Sequence, residues 1–541
     1  MSVRVLQIHS SDNVAVALTS MPTGVEVLPG CVTRAPVPAK HKVVTRPIRA
    51  SEPVLMYGVI VGQALHDLCP GDRLNQRDLI HDTSAYHVRE TPYSWNPPDV
   101  SKWATMEFQG YHRTDGQMGT ANYWVVVPMV FCENRNIDVL RRAFEDELGY
   151  GVVSTYRRQV AALAHAYRTG KPPPDEADLT PVRSTPLFEN IDGVRFLTHQ
   201  LGCGGTRQDA RSLCGLLAGY LNHPNVCGAT VLSLGCENAE LDLLMEEVHE
   251  RNPAFDKPLH VFRQQSFSST DSLITRAIND TFTGLQKANQ LRRAPAPLSK
   301  LTLGLECGGS DGFSGITANP AMGYTTDLLV ALGGSAILGE FPELCGQEQS
   351  LIDRCTHASV AERFVHLMES YSALAKAVGS GFDMNPSPGN IRDGLLTDAM
   401  KSAGAVRKGG ISPITAVLDY PEYVTTPGLN LLCTPGGDVE STTAIAGAGA
   451  QVILFSTGMG TPTGNPVAQV VKISSNSALA DRIPDLIDLD AGGILNGQET
   501  IKSVGEQILD LVVQIASGNL VPASERLGQN DFIPWKRGVS L

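Results

Sequence analysis

Charge is scarce in this chain. Only 18% of its 541 residues are Asp, Glu, Lys or Arg, against ~25% in ordinary soluble domains. The sparse charge is also unbalanced, with a net of −13, which excludes the broad basic surface that nucleic-acid or acidic-membrane binding requires. No run approaches the ~18 consecutive apolar residues of a transmembrane helix. The opening residues MSVRVLQIHSSDNVAVAL lack an apolar run ahead of a small-residue cleavage site, so no signal peptide is expected. The 11 cysteines are scattered, odd in number and without a CxxC pair, which argues against a secreted disulfide framework and a zinc ribbon. A reducing, cytoplasmic setting is expected. Neither the P-loop nor the GxGxxG fingerprint occurs, and no internal repeat is evident.

What is abundant is glycine, 52 residues, with 34 prolines. At ~100–200 residues per domain the chain is long enough for about three domains. Residues 1–90 alternate short β-rich runs (Val3–Ile8, Val14–Leu18, Lys42–Thr45, Val54–Val61) with Gly and Pro turns, which predicts a small all-β domain. Residues 91–106 read as a linker. From Tyr123 onward, continuous apolar strands alternate with helical patterns: 194–198 then 207–221, 229–234 then 238–250, 259–262 then 270–291. This predicts a parallel α/β sheet covered on both faces. Asn136 is a candidate cap for a helix ended by Gly149, and 151–190 reads as a surface insertion. Residues 292–300 read as a second linker. A second α/β region follows, with strands at 301–305, 335–338, 429–433, 451–455 and 470–473 and a long helix over 348–378. The fold class is therefore α/β, an all-β N-terminal domain followed by a large body with mainly parallel sheets in two regions. The boundaries are 1–90, 107–295 and 296–541.

Four apolar strands end in cysteine: VVVPMVFC (Cys132), FLTHQLGC (Cys203), TVLSLGC (Cys236) and LTLGLEC (Cys307). Ligands of open parallel sheets bind beyond the carboxyl strand ends. If the four strands share one sheet, the thiols line one rim, where thiolates suit iron or an iron–sulfur cluster. The plainer reading is that cysteine is a small, commonly buried residue. His199 and Glu237 lie close by in sequence, as candidates for proton transfer. The segment ECGGSDGFSGITANPAMG, 306–323, sets Ser310, Asp311, Ser314, Thr317 and Asn319 between glycines, after a strand and before a helix. Backbone N–H groups there can approach an anion. Similar loops follow at 385–390 (Asn385, Ser387, Asn390), 435–438 (Asp438) and 456–464 (Thr457).

Together, DNVAVAL (12–18), GYHRTDGQMGTANYW (110–124), HPNVCG (223–228), LGCEN (234–238), the 306–323 loop, NPSPGN (385–390), TPGLNLL (426–432), FSTGMGTP (455–462) and DLDAGG (488–493) resemble the altronate/galactarate dehydratase family over almost the whole chain. The resemblance implies a β-clip (SAF) domain joined to an α/β body. It implies an iron-dependent hydro-lyase that removes water from a sugar acid to give a 2-keto-3-deoxy acid, and a related branch eliminates sulfite from sulfolactate. The implied cofactor is Fe2+, with mononuclear and cluster forms both open. The implied partner is a small hydroxy acid, and a homodimer is assumed on general grounds. Residues matching the family pattern are His9, Asp12, His41, His199, Glu237 and Lys401 for catalysis. His9 and His41 with the four strand-end cysteines are the metal candidates, and Glu340, Glu343 and Lys472 are further polar positions.

The chain departs from the family at several polar positions. A His-x-His-Asn run is here Asn75-Gln76-Arg77-Asp78. The arginine of Gly-x-Arg-Asn is Ala121, a lysine after NPSPGN is Ile391, an acidic residue before Lys401-Ser402 is Met400, and the arginine of a Gly-Arg-Gly loop is Met459. Neither Ala nor Met can replace a bidentate arginine–carboxylate contact. The departures point to a less polar substrate, a changed elimination or isomerisation, or a non-catalytic binding homologue.

Overall fold

The structure is a computed structural model that describes residues 4–88, 93–150, 155–170, 172 and 185–540. The N-terminal domain is all-β. Val5–Leu6, Val14–Ala17 and Lys42–Val44 form one antiparallel sheet, and Pro53–Met56, Val59–Ala64 and Leu79–Ile80 another. Its apolar face does not close on itself. Val14, Val16, Val54 and Met56 share one core with Phe313, Ile316, Leu396, Met400 and Ala403 of the body. Two of the family departures are settled here: Met400 is fully buried in this shared core and Ile391 packs against it, so neither faces a ligand.

The connecting residues are more structured than their composition suggests. Trp103 is buried, and its indole N–H donates to Asp510 Oδ1 at 2.8 Å. Arg293–Pro297, read from sequence as linker, is a strand paired antiparallel with Glu107–His112. Its prolines are tolerated because this strand is at a sheet edge. Of the 151–190 insertion, a helix spans Thr155–Thr169, while the proline-rich 173–174 lies outside the described residues.

Two parallel sheets form the body. In the first the order is Gly193–Phe196, Tyr123–Pro128, Val226–Ser233, Leu259–Arg263, all parallel. Every residue of Tyr123–Pro128 and Val226–Ser233 is buried, as both-face coverage requires. The preceding helix runs over Asn134–Leu148 and stops at Gly149 with φ of 77°. The expected cap Asn136 falls inside its first turn.

The second sheet has seven parallel strands in the order Ile414–Leu418, Gly428–Leu432, Ser335–Leu338, Thr302–Cys307, Val452–Thr457, Gln469–Ser474, Leu489–Asp490. The expected long helix over 348–378 is split into Glu348–Ile352 and Ala358–Ala377. At the break, the buried Arg354 donates to the carbonyls of Gly409 and Ser412, satisfying backbone oxygens that no strand can reach. Helices Arg207–Asn222 and Asp438–Gly447 join the two sheets. They meet so closely that a Cβ on Gly219 would stand 2.0 Å from the carbonyl oxygen of Gly447. No helix among the described residues is long and apolar enough to cross a membrane.

Candidate active site

The order in which strands are added to the seven-stranded sheet switches sides at Thr302–Cys307, whose neighbours Ser335–Leu338 and Val452–Thr457 lie on opposite sides. The crevice beyond the carboxyl ends at such a point is where α/β sheets bind ligands. A cavity of about 560 Å³ lies there, lined among others by Cys307, Asn385, Ser387, Asn390, Lys401, Asp438 and Met459. Its far wall is largely apolar, with Pro342, Tyr371, Phe382 and Met384.

Behind this wall lies a buried network of charge. Lys408, at the end of the 401–408 segment, donates to Cys307 Sγ at 2.9 Å and to a carboxylate oxygen of Glu340. The Cys307 thiol donates to Glu343 Oε2 at 3.3 Å, and Lys401 Nζ lies 2.6 Å from Glu343 Oε1. Lys401 also donates to Asn385 Oδ1 at 2.9 Å. Ser441 donates to Glu306 Oε2 at 2.6 Å. Glu306 Oε1, Glu340 Oε1, Ser310 Oγ and Lys472 Nζ are buried with no partner. Such groups are costly unless something binds them.

The electrostatics follow from burial. Asp438 is pushed up to about 6, first by burial and then by the charge of Glu343, against the pull of nearby lysines. Burial also raises Glu306 and Glu340 above the usual carboxylate range. Lys472, whose Nζ stands 3.6 Å from the centre of the Phe455 ring, is lowered by burial to about 7. Burial works to discharge Lys401 and Lys408, but the surrounding carboxylates and thiol outweigh it and hold both ammonium groups.

Several predicted residues turn out to build the loops. Asp311 is fully buried. Its Oδ1 accepts from the N–H groups of Phe313 and Ser314 and the hydroxyls of Ser314 and Ser475, and its Oδ2 faces Lys40 at 3.1 Å. Thr317 bonds Ser475 O, Asn319 bonds Gly404 O, and Thr457 accepts from Gly460 and Thr461. Ser387 caps the turn that holds Asn390, whose amide donates to Ser310 O at 2.7 Å. These residues shape the cavity. Asn385, Ser387, Asn390, Lys401 and Asp438 also line it.

Other predicted residues are not brought there. Asp12 accepts from the backbone of His9, Tyr57 and Gly58, and His9 is exposed and bonded to Ser11. His41 is buried, with Nε2 at 3.0 Å from Arg392 O. His199 uses both ring nitrogens on backbone groups, Pro128 O and Leu201 N–H. Glu237 accepts from Gly235 and Cys236 N–H in its own turn. The four strand-end cysteines do not share a rim. Cys132, Cys203 and Cys236 follow strands of the first sheet, and Cys307 ends a strand of the second. Among the described residues, no compact metal-ligand group combines His9 or His41 with a cysteine.

Lys408 is the residue that sequence reasoning missed. A lysine followed by Gly409-Gly410 inside a charge-poor stretch was the available signal. Of the family departures, only Met459 lines the cavity. Ala121 is buried beside Asn225 in the first sheet's region, and Asp78 caps its own turn.

A β domain shares its core with a parallel α/β body, and lysine and carboxylate groups suited to acid–base chemistry gather at the switch point. The chain belongs to the D-galactarate/altronate dehydratase family. The profile "Altronate/galactarate dehydratase SAF domain" matches 3–81, "D-galactarate dehydratase/Altronate hydrolase, second domain" matches 110–289, and "D-galactarate/Altronate dehydratase, C-terminal" matches 298–540. Similar curated proteins are altronate dehydratase of Escherichia coli (strain K12), 33% identical, and that of Bacillus subtilis (strain 168), 32% identical, each alignment covering 99% of both chains. Galactarate dehydratase (L-threo-forming) of Escherichia coli (strain K12) is 28% identical over 97% of this chain and 94% of its own length.

Proposed function

We propose that the protein is a hydro-lyase acting on a hydroxy acid of the sugar-acid class, giving a 2-keto-3-deoxy acid. The observation that carries this reading is the carboxyl of Asp438 in the same cavity wall as the cation Lys401, at the carboxyl ends of the parallel strands. The substrate carboxylate sits against Lys401. Asp438 takes the α-proton, and the negative charge that develops on the carboxylate is stabilised by Lys401. The same Asp438 proton then passes to the departing β-hydroxyl, which leaves as water. The resulting enol rearranges to the 2-keto acid.

Iron is implied by the family resemblance. Cys307, Glu340 and Glu343 bring ligand atoms within 4.8 Å of one another. However, Lys408 and Lys401 already hold those lone pairs and add two positive charges. This donor set, already saturated by two ammonium groups, does not fit a dication.

Met459 and the Tyr371–Phe382–Met384 wall support a substrate with fewer hydroxyls than a six-carbon diacid. The test is to incubate the full-length protein, prepared anaerobically with and without Fe2+, with altronate, galactarate and shorter hydroxy acids, and to measure 2-keto acid formation. Turnover of at least one acid is expected. No turnover of any acid in either preparation overturns the reading.

A further inference from the structure

Two groups of side chains among the described residues bring three metal-ligating atoms within 4.8 Å of one another. In one, Cys307, Glu340 and Glu343, two lysines already hold the donors. The other, His81, Cys345 and Asp398, takes no part in the proposed reaction. It is drawn from three separate segments. His81 follows the last strand of the β domain, Leu79–Ile80. Cys345 follows the turn Phe341–Leu344, and Asp398 opens the helix Asp398–Ala405.

Packing presses these segments together. Gly346 has φ of 80°, and a Cβ there would stand 2.9 Å from Thr83 Cγ2 and 3.3 Å from Ala399 Cβ. The turn after Cys345 is thus seated against chain neighbours of both His81 and Asp398. The Thr397 hydroxyl donates to Val61 O at 2.6 Å, which fixes the start of the helix to the β domain. His81 Nδ1 stands 2.9 Å from each carboxylate oxygen of Asp398, and only Oδ1 is in hydrogen-bonding geometry. The Asp398 side chain is 3% exposed, and its Oδ2 has no hydrogen-bond partner. A buried oxygen of this kind is costly unless something binds it. The surrounding charge is acidic. His81 feels the charges of Asp398, Asp383 and Asp82, and the buried Glu348 feels that of Asp398. Among the described residues, no lysine or arginine is ion-paired with Asp398 or Glu348.

We propose that His81, Cys345 and Asp398 are a zinc site that ties the β domain to the body. Imidazole, thiolate and carboxylate are donors that zinc takes tetrahedrally at ~2.0–2.3 Å, which sets the donor atoms ~3–4 Å apart. The 2.9 Å separation of His81 from Asp398 and the 4.8 Å limit of the whole group bracket that spacing. Cys345 gives its proton to solvent on binding, and the charges of its thiolate and of Asp398 then balance the ion. Glu348 is the buried donor at hand for the fourth position. The ion holds the turn that carries Glu343 against the helix that carries Lys401, so it acts on the cavity wall by position and not by chemistry. The site shares no residue with His9, His41 or the strand-end cysteines, the candidates for the iron that the family resemblance implies.

The test uses the full-length chain, stripped with a chelator and titrated with zinc and, separately, with cobalt. The expected result is zinc binding that weakens roughly tenfold or more in each of His81→Ala, Cys345→Ser and Asp398→Asn, while Cys236→Ser binds as the wild type does. With cobalt, the wild type shows the visible bands of a tetrahedral site and a thiolate charge-transfer band, and this band weakens in Cys345→Ser but not in Cys236→Ser. Should a variant fail to fold, alkylation of the wild-type protein decides. Zinc shields Cys345 from iodoacetamide while the exposed Cys69 still reacts. No zinc binding, unchanged affinity in any of the three variants, or equal alkylation of Cys345 with and without zinc overturns the proposal.

Discussion

Lys401 Nζ and Glu343 Oε1 stand 2.6 Å apart, with side chains only 11% and 2% exposed. The pair joins helix Asp398–Ala405 to the turn Phe341–Leu344 directly behind the cavity. Breaking a buried pair by removing one partner costs ~3–5 kcal/mol, because the other charge is left uncompensated. Lys401→Met is therefore expected to lower unfolding stability by about that amount and to abolish turnover. The double variant Lys401→Met, Glu343→Leu is expected to recover most of the stability in urea titration and none of the activity. Recovery of activity would remove Lys401 from substrate binding.

Asp438 acts as a base only when ionised. With its pKa pushed up to about 6, kcat/KM is expected to fall as pH drops through 6, roughly tenfold per unit below it. Asp438→Asn is expected to lose at least 100-fold in kcat and to lose this acidic limb. A profile unchanged by the substitution would assign the limb to another group.

Met459 is the one family departure on the cavity wall. Met459→Arg places a planar cation where a second substrate carboxylate can pair with it. The expected outcome is a shift of at least tenfold in the kcat/KM ratio, toward diacids and away from monoacids. An unchanged ratio across a panel of mono- and diacids would mean that position 459 does not set specificity.

Lys40 ties the β domain to the body through Asp311 and Asp393, each at 3.1 Å. Asp311 is fully buried, so Lys40→Met removes its direct ion-pair partner. A loss on the order of 3 kcal/mol is expected, read as a lower midpoint in denaturant. The 306–319 loop should loosen with it, seen as faster amide exchange at Phe313 and Ser314.

His199 is held neutral by burial, with its pKa lowered to about 4. An unfolded histidine titrates near 6.5, so between pH 6.5 and 4 the unfolded chain binds more protons than the folded one. Stability from this group is complete above pH 6.5 and is lost as pH falls toward 4, by on the order of 3 kcal/mol. His199→Gln is expected to flatten that slope in urea midpoints measured between pH 7 and 4.5.

Much of the architecture was legible because alternating strand and helix patterns report burial locally. The strand Ser335–Leu338 and the helix beginning at Arg207 coincide with their sequence patterns, and the loops at 385–390 and 435–438 line the cavity. Arg293–Pro297 was not legible as a strand, since its proline content reads as linker until Glu107–His112 is seen beside it. Lys408 was not legible either. Its burial is tolerable only because Cys307 and Glu340, distant in sequence, arrive next to it.

The sequence by itself determined the family, the β domain followed by two parallel α/β regions, and the glycine loops at strand ends, because these depend on local pattern and on motifs read in order. Tertiary structure alone decided which polar groups meet. It separated Cys307 from Cys132, Cys203 and Cys236 by placing their strands in different sheets. It turned Asp311, His199 and Glu237 into loop supports by saturating their hydrogen bonds. It also paired Lys401 with Glu343 and Lys408 with Glu340, because a buried charge requires a partner and only the packed fold supplies one.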